Sequence, residues 1–299
     1  MKNKILLNLE LFQQDSMGSK KGKPLKRANN LDGQTWLSYS ISIWSDINEA
    51  SEELKLKHPA MFPKELVKRL IKTFMREDQK KVLDPFVGVG STLLAAKELE
   101  KEGIGIEVSE EYVNIARSRL KTEATIFKNE TQSNQSEQKI YVDDAINLLN
   151  YVEEESVDIC ITSPPYWDIL SQKRSADNKT IRDYSEKNNN LGEIHDYLKF
   201  IKALGKIFGQ VYKALVGGSY CIVIVMDIRK KNKFYPFHID VIKMMEDQNF
   251  ALDDIIIWDR RKEYNNLKPL GYPSVFRVNK VHEYILIFQK PNEKKEGKK

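Results

Sequence analysis

Short apolar runs alternate with amphipathic stretches through most of this chain. The runs have the length and β-branched content of buried strands, and the stretches between them carry apolar residues at helical spacing. The predicted strands are residues 82–86, 104–108, 139–143, 157–162, 220–226, 253–258 and 282–288. The predicted helices are residues 63–76, 93–99, 110–120, 145–151, 194–215 and 237–248. The pair Gly217-Gly218 is expected to end the helix over residues 194–215. Strands that alternate with helices indicate an α/β fold built on a parallel sheet with right-handed crossovers.

Outside this pattern, the two ends and two internal loops are polar. Residues 1–57 combine a basic arm with an aromatic segment, and residues 291–299 form a charged tail. We expect a single domain over residues 58–290, which includes two basic loops at residues 168–190 and 260–281.

Composition narrows the class of protein only slightly. The 299 residues are 41% hydrophobic, which is enough for a sizeable core, and 48 basic against 43 acidic residues give a net charge of +5. That excess is mild, although five of the eight residues 20–27 are basic and none is acidic. No apolar run approaches the roughly 18 residues of a membrane span, and the first residues lack a signal-peptide pattern. We therefore expect a cytoplasmic protein without membrane contact.

Cysteine and histidine positions give no sign of disulfide bonds or of a metal site. Cys160 and Cys221 both lie inside apolar runs, which predicts buried thiols in a reducing compartment. Neither they nor the four histidines show the spacing of metal ligands, so no metal is expected.

A glycine-bearing turn follows the first predicted strand. Asp84 lies at the end of that strand, and Gly88 and Gly90 lead into a helix, which is the arrangement of a nucleotide-type site. The third glycine of a dinucleotide fingerprint is missing, which favours a nucleoside with a short side chain. Asp84 would then take the ammonium group of an amino-acid moiety, and Ser91 and Thr92 would take its carboxylate.

Acidic residues end the next two predicted strands. Glu107 is placed where a carboxylate would accept hydrogen bonds from both ribose hydroxyls. Asp144 is placed to reach an adenine amine. Asp143 competes for that role, although a helix N-cap is its ordinary explanation.

A proline turn follows the predicted strand at residues 157–162. It consists of Ser163, Pro164, Pro165 and Tyr166, and Trp167 comes next. Two adjacent prolines fix φ and remove two N–H donors, so the turn presents carbonyl oxygens rigidly beside an aromatic pair. An amino group held there finds acceptors, and a flat ring finds a stacking partner. This chemistry suits a nucleobase taken out of its stack.

The two turns together resemble the motifs of amino-DNA methyltransferases that use S-adenosylmethionine. The motifs are DPFVGVGST at residues 84–92 and TSPPYW at residues 162–167, and the likeness extends over roughly residues 58–290. The resemblance implies a Rossmann-like methyltransferase fold with a seven-stranded, mostly parallel sheet, an antiparallel last strand and helices on both faces. It also implies S-adenosylmethionine as the cofactor and double-stranded DNA as the partner.

The order of the motifs departs from the subgroup that they resemble most. In that subgroup the catalytic motif usually comes first, whereas here the cofactor motif does, so the chain resembles a circularly permuted relative. This order leaves no large separate segment for target recognition. That task would fall to residues 1–57, 168–190 and 260–281, or to a partner.

The resemblance also implies roles for individual residues. The Ser163 hydroxyl and the Pro164 carbonyl would accept hydrogen bonds from the amino protons of a flipped base, with Pro165 in the same catalytic set. Tyr166 would stack on the base, and Trp167 would wall the pocket, with packing in the core as the alternative for Trp167. The implied cofactor residues are His58, Pro59, Asp84, Phe86, Gly88, Gly90, Ser91, Thr92, Glu107, Val108 and Asp144. The residues expected on DNA, besides Trp167, are Lys173, Arg174, Arg182, Arg260, Arg261, Lys268 and Arg277.

The target base and the assembly stay open at this stage. Serine before Pro-Pro-Tyr is more frequent among cytosine-N4 enzymes of the family, which favours cytosine N4 over adenine N6. Methylation of RNA or of a protein amide, and an inactive DNA-binding accessory protein, are the alternatives. A monomer or a homodimer fits, and a restriction endonuclease or a second methyltransferase would be a compatible partner that the sequence does not reveal.

Overall fold

The structure is a computed structural model that describes residues 27–48, 53, 61–126, 136–167, 191–263 and 267–292. Within these residues, eight strands form one sheet. In sheet order they are β1 (Ile43–Trp44), β9 (Ala251–Asp259), β10 (His282–Gln289), β6 (Leu215–Val225), β5 (Val157–Thr162), β2 (Lys81–Asp84), β3 (Glu102–Glu107) and β4 (Gln138–Val142). A separate ribbon consists of β7 (Ile228–Lys230) and β8 (Lys233–Tyr235).

Helices cover both faces of the sheet. They include α1 (Gly33–Tyr39), α2 (Lys64–Phe74), α3 (Ser91–Glu98), α4 (Glu110–Ile126), α5 (Tyr197–Ala214) and α6 (Phe237–Asp247). Apolar residues of α2 pack on one face with Trp44 and Trp258, while α5 and α6 pack on the other face around Phe200 and Phe237. No helix in the described ranges is long and apolar enough to cross a membrane.

The predicted sheet is confirmed, with one strand added. The seven predicted strands are present, and β10 runs antiparallel to both of its neighbours, β6 and β9. The pairs β2–β3, β2–β5, β3–β4 and β5–β6 are parallel. The added strand, β1, pairs in parallel with β9 through two residues, which is too short for a hydrophobic period to predict.

The predicted helix over residues 145–151 is present as a 3₁₀ helix at Ala145–Asn150. Two other local predictions were wrong. The predicted helix over residues 110–120 continues to Ile126. The pair Gly217-Gly218 does not end the helix before it, because α5 stops at Ala214 and both glycines lie inside β6. Gly218 has φ of 80°, and its N–H donates to the Lys290 carbonyl at 2.8 Å, so it serves the irregular start of a strand.

The topology determines where a ligand site can form. The strand order reverses at β2, whose neighbours β3 and β5 lie on opposite sides of it. In open α/β sheets, ligands bind outside the carboxyl ends of the strands at such a switch point. The glycine turn follows β2 and the proline turn follows β5, so the fold brings both turns to the same edge.

Candidate active site

Asp84 joins the two turns directly. Its Oδ2 accepts a hydrogen bond from the Thr92 hydroxyl at 2.6 Å, and its Oδ1 accepts one from the Thr162 hydroxyl at 2.6 Å. The Phe86 N–H also donates to Oδ1, at 3.0 Å. Asp84, Thr92 and Thr162 are completely buried. One carboxylate therefore links the start of α3 to the end of β5, the strand that immediately precedes Ser163.

Burial makes Asp84 harder to ionise than an exposed aspartate. Burial raises the pKa of Asp84 to about 6, and the hydrogen bonds from Thr162, Thr92 and Phe86 limit the rise. Both oxygens already accept hydrogen bonds from within the protein, and the side chain is completely buried. Its predicted contact with an ammonium group stays a prediction.

The glycine turn is shaped for close approach. Gly88 and Gly90 have φ of 51° and 89°, in the left-handed region that glycine adopts without strain. A Cβ added at Gly90 would lie 2.9 Å from the Ala116 Cβ. At the first residue of α3, the buried Ser91 Oγ has no hydrogen-bond partner within the described structure. A buried hydroxyl without a partner is unusual, and at a helix N-terminus it suits an anionic ligand group.

Glu107 lies beside the same turn. Its Oε2 accepts from the Gly88 N–H at 3.1 Å and its Oε1 from the Ser109 N–H at 2.9 Å. Burial raises the pKa of Glu107 to about 7, the two backbone donors oppose the rise, and the nearby Asp84 carboxylate adds to it. The carboxylate is thus held in place with little water around it, and Val108 beside it is half-buried.

The two aspartates after β4, Asp143 and Asp144, accept hydrogen bonds from different donors. Asp143 accepts from the Tyr151 hydroxyl at 2.7 Å, from the Asn147 amide at 3.0 Å and from the Asp144 N–H at 2.8 Å. Asp144 is the N-cap of the 3₁₀ helix, where its Oδ1 accepts from the Ile146 N–H at 3.0 Å. The cap is therefore Asp144 and not Asp143.

A chain of hydrogen bonds leaves the proline turn. The Ser163 hydroxyl donates to the Tyr166 oxygen at 3.3 Å, and the Tyr166 hydroxyl donates to Glu283 Oε2 at 3.0 Å. Burial, and next the Glu283 carboxylate, raise the pKa of Tyr166 well above its usual range. The other Glu283 oxygen is bonded to the Arg260 guanidinium. Ser163 itself is only partly buried, so its hydroxyl lies between this chain and the open side of the turn.

Trp167 is buried in the hydrophobic core next to the proline turn. It is 4% exposed, and its indole N–H donates to the Ile194 carbonyl at 2.7 Å. Tyr197 and Tyr235 contact the ring edge-on at centroid distances of 5.2 and 5.1 Å. The Lys230 ammonium lies 3.9 Å from the ring centroid.

The basic residues after β9 differ in their surroundings. Arg260 is mostly buried and bonds to Glu283 and Glu263, so its charge is already paired. Arg261 is exposed, although it pairs with Asp259. The sequence does not distinguish the two arginines, because the partner Glu283 lies 23 residues away from Arg260.

The segment from residue 267 to residue 281 carries both charge and exposed rings. Lys268 is exposed, and Arg277 donates to the Lys231 carbonyl at 3.0 Å and to Asn232 Oδ1 at 2.7 Å. Phe276 is 92% exposed, an unusual position for a large aromatic side chain. This segment therefore exposes both apolar and basic side chains.

Five predicted site residues lie outside the described ranges. They are His58, Pro59, Lys173, Arg174 and Arg182. The basic residues of the N-terminal arm before Arg27 also lie outside them. Cys160 and Cys221 are buried and unpaired as predicted, and no group of three His, Cys, Asp or Glu side chains in the described residues could hold a metal ion.

Sequence reasoning gave no role to two carboxylates at this edge. Glu283, at the start of β10, bonds to Tyr166, and Asp227, after β6, bonds to His238. Asp227 is 6% exposed, and the His238 ring stacks on Tyr284 at 3.9 Å. Their positions at the edge of the sheet were the available signal, since acidic residues there face the crevice.

The fold and the site define a class of protein. Its members have a Rossmann-like sheet with a glycine turn and a proline turn at the switch point. A family model of N6/N4 methyltransferases, described as DNA methylase, matches residues 7–118 and 157–299. The chain therefore belongs to the N6/N4 DNA methylase family.

Individual relatives match over shorter spans. Type II methyltransferase M2.LlaDCHI of Lactococcus lactis subsp. cremoris is 38% identical over 84 residues, which is 28% of this chain and 31% of that protein. Type II methyltransferase M.MjaI of Methanocaldococcus jannaschii is 30% identical over 176 residues, which is 52% of this chain and 57% of that protein. The chain thus spans less than two thirds of the length of either relative.

Solved structures share the fold only loosely. A SAM-dependent O-methyltransferase of Thermotoga maritima aligns with 82% of this chain and 72% of its own, with a TM-score of 0.45 and 14% identity. TTHA0409 of Thermus thermophilus, solved with S-adenosyl-L-methionine, aligns with 50% of this chain and 54% of its own, with a TM-score of 0.36 and 26% identity. At these TM-scores the likeness carries no argument about function.

Proposed function

We propose that this protein transfers the methyl group of S-adenosylmethionine to the exocyclic amino group of a base in double-stranded DNA. One observation carries the proposal beyond family membership. Asp84 is hydrogen-bonded to both Thr92 and Thr162, so the glycine turn and the proline turn share one edge of the sheet. A methyl donor held by the first turn and an amino group held by the second would meet there.

The residues of the glycine turn fit S-adenosylmethionine. The unpartnered Ser91 hydroxyl and the free N–H groups at the start of α3 would hold its carboxylate. Asp84 and Thr92 would support that end of the site, with the negative charge of Asp84 favouring the ammonium group. When bound, the cofactor supplies an electrophilic methyl group on its sulfonium sulfur.

The nucleoside end of the cofactor would lie against the carboxyl ends of β3 and β4. Glu107 would accept hydrogen bonds from the ribose hydroxyls, and Asp144 from the adenine amine. Phe86 and Val108, both half-buried, would flank the adenine ring. His58 and Pro59 would complete the site as the family resemblance implies.

The proline turn would activate the target nitrogen. The lone pair of an exocyclic amino group is conjugated into the ring, which makes the nitrogen a poor nucleophile. The Ser163 hydroxyl and the Pro164 carbonyl would accept its two protons and localise the lone pair toward the methyl group. Transfer would then be a direct in-line displacement without a covalent enzyme intermediate, so positioning and electrostatics would supply the rate. Tyr166 would stack on the base.

We propose cytosine N4 as the target nitrogen, with adenine N6 as the alternative. The Ser163 hydroxyl favours cytosine only by frequency within the family. The Type II methyltransferase names of the relatives support a role in a restriction-modification system, with a restriction endonuclease or second methyltransferase as partner.

The DNA surface would be the basic and aromatic segment after β9. Arg261 and Lys268 are exposed and would contact phosphates. Arg260 would act through Glu283 instead, because its charge is already paired. Arg277 would help to hold the segment against β7 and β8, and the exposed Phe276 would pack on bases or sugars.

Incubation with methyl-labelled S-adenosylmethionine and duplex DNA, followed by nucleoside digestion and mass spectrometry, tests the proposal. We expect label in N4-methylcytosine. Label in N6-methyladenine would keep the reaction and change the base. Label in RNA or protein alone, or no label with a cofactor-binding protein, would refute the proposal.

A further inference from the structure

We infer, on the basis of the proposed function, that Glu283 is a positioning residue. It orients the Ser163 hydroxyl so that the oxygen lone pairs face the target amino group. Ser163 can either donate or accept a hydrogen bond, and only acceptance helps to localise the lone pair of the nitrogen. A neighbouring group in the protein must therefore fix the direction of the Ser163 hydroxyl proton.

The hydrogen-bond chain from Ser163 through Tyr166 to Glu283 fixes this direction. An ionised carboxylate has no donor, so the contact between Tyr166 and Glu283 Oε2 at 3.0 Å requires the tyrosine to donate its only proton. The tyrosine oxygen can then only accept at its contact of 3.3 Å with Ser163. The serine proton is committed to Tyr166, and its lone pairs are left for the pocket.

Glu283, the last member of this hydrogen-bond chain, is held rigidly. Arg260 bonds to the second oxygen of Glu283, and the same guanidinium bonds to Glu263. Arg260 also lies 4.7 Å from the centroid of the Trp258 ring. Glu283 is 6% exposed and Tyr166 is 9% exposed, so little water competes for their hydrogen bonds. The direction of the chain is therefore built into the folded protein.

Replacing Glu283 by glutamine should reverse this direction. Arg260 has only donors, so it keeps the amide oxygen of glutamine and leaves the NH₂ group facing Tyr166. Tyr166 then accepts from the amide and donates its proton to Ser163. Ser163 must turn its own proton toward the pocket, where it meets the protons of the target amino group.

The test is single-turnover methyl transfer to duplex DNA that carries the site mapped for the wild-type protein. We expect E283Q to slow transfer by about 10- to 100-fold, which is less than the roughly 100- to 1,000-fold loss when a group that contacts the reacting centre directly is removed. Y166F, which keeps the ring and frees the serine rotor, should have a smaller effect. The matched control is E246Q, which changes an exposed glutamate near the end of α6 and should leave the rate within about twofold.

A double-mutant cycle separates orientation from general support of the fold. If Glu283 acts through Ser163, E283Q should add nothing to the loss caused by S163A. Cofactor affinity, measured by calorimetry, should match wild type in every variant. Should E283Q fail to bind cofactor, the cycle of Y166F with S163A replaces it, and the same non-additivity is expected.

Two results would overturn the inference. One is a transfer rate of E283Q, or of Y166F if it replaces E283Q, within twofold of wild type. The other is that E283Q slows the S163A variant by the same factor as it slows the wild-type protein, which would mean that Glu283 only supports the fold. Wild-type protein that transfers no methyl group to DNA would instead refute the proposed function, and the inference with it.

Discussion

Replacing Glu107 by glutamine tests the cofactor site at its best-defined carboxylate. The two oxygens of Glu107 accept separately from the Gly88 and Ser109 N–H groups, at 3.1 and 2.9 Å. An amide must turn its NH₂ group toward one of these donors, and a buried donor left without an acceptor lowers the stability of the folded protein by about 1–3 kcal/mol, with or without cofactor. The effect on binding comes from the lost charge, which would strengthen hydrogen bonds from the ribose hydroxyls. Hydrogen bonds to charged groups are worth about 1.5–3 kcal/mol, so we expect the Kd for S-adenosylmethionine to rise by about 10- to 100-fold.

The pH dependence of binding gives this prediction a second readout. The pKa is about 7 for Glu107 and about 6 for Asp84, both raised by burial. Donors from the cofactor favour the ionised forms, so binding lowers both pKa values and releases protons. Affinity should therefore rise as the pH increases from about 5 to about 8, by roughly 10- to 30-fold for Glu107 alone.

Stability without cofactor should follow the opposite trend. The folded protein binds more protons than the unfolded chain between the ordinary and the raised pKa values. The contribution of these two carboxyls to the free energy of unfolding is therefore present at about pH 4 and is lost as the pH rises through about 6 and 7. Thermal unfolding of cofactor-free protein across this range measures it.

Isothermal titration calorimetry in two buffers of different ionisation enthalpy measures affinity and proton release together. The matched control is E110Q, which changes an exposed glutamate at the start of α4 and should behave as wild type. If E107Q kept the affinity, the pH slope and the proton release of the wild-type protein, Glu107 would have no role in cofactor binding.

Three further outcomes are expected. G90A should lower the free energy of unfolding by about 2–3 kcal/mol in chemical denaturation, because its Cβ would meet Ala116 at 2.9 Å and the backbone φ is 89°. The control is G33A, whose Cβ would meet nothing within 4 Å, and equal stabilities of the two variants would contradict the account. K268A should lower the slope of log affinity for DNA against log salt by about 1, and an unchanged slope would exclude a phosphate contact. F276A should weaken DNA binding in fluorescence anisotropy without changing the melting temperature, because the ring is 92% exposed; unchanged affinity would remove Phe276 from the DNA surface.

The sheet was predictable because its strands bury both faces. Runs such as Val157–Thr162 are apolar enough to specify a central strand from local sequence alone. Ile43–Trp44 has no such signal, since its two residues pair with β9 only through tertiary context. Gly217 and Gly218 were predicted to end a helix because glycine is common at helix ends. The sequence shows where the glycines occur, but it does not show that they lie in β6 and that Gly218 bonds to Lys290.

The candidate site was predictable only in part, for a related reason. Asp84 and Glu107 could be chosen because each ends a strand next to a glycine turn. The contact from Tyr166 to Glu283 spans 117 residues, and no local pattern encodes it. Arg260 and Arg261 look alike in sequence, yet one charge is buried against Glu283 and the other is exposed.

Single-turnover methyl transfer by S163A, with cofactor affinity measured on the same sample, tests the central claim most directly. We predict transfer to DNA at least about 100-fold slower than wild type, with a Kd for S-adenosylmethionine within about twofold of wild type, because Ser163 would contact the base and not the cofactor. Transfer at the wild-type rate would show that the proline turn does not hold the target amino group, and the account would be wrong.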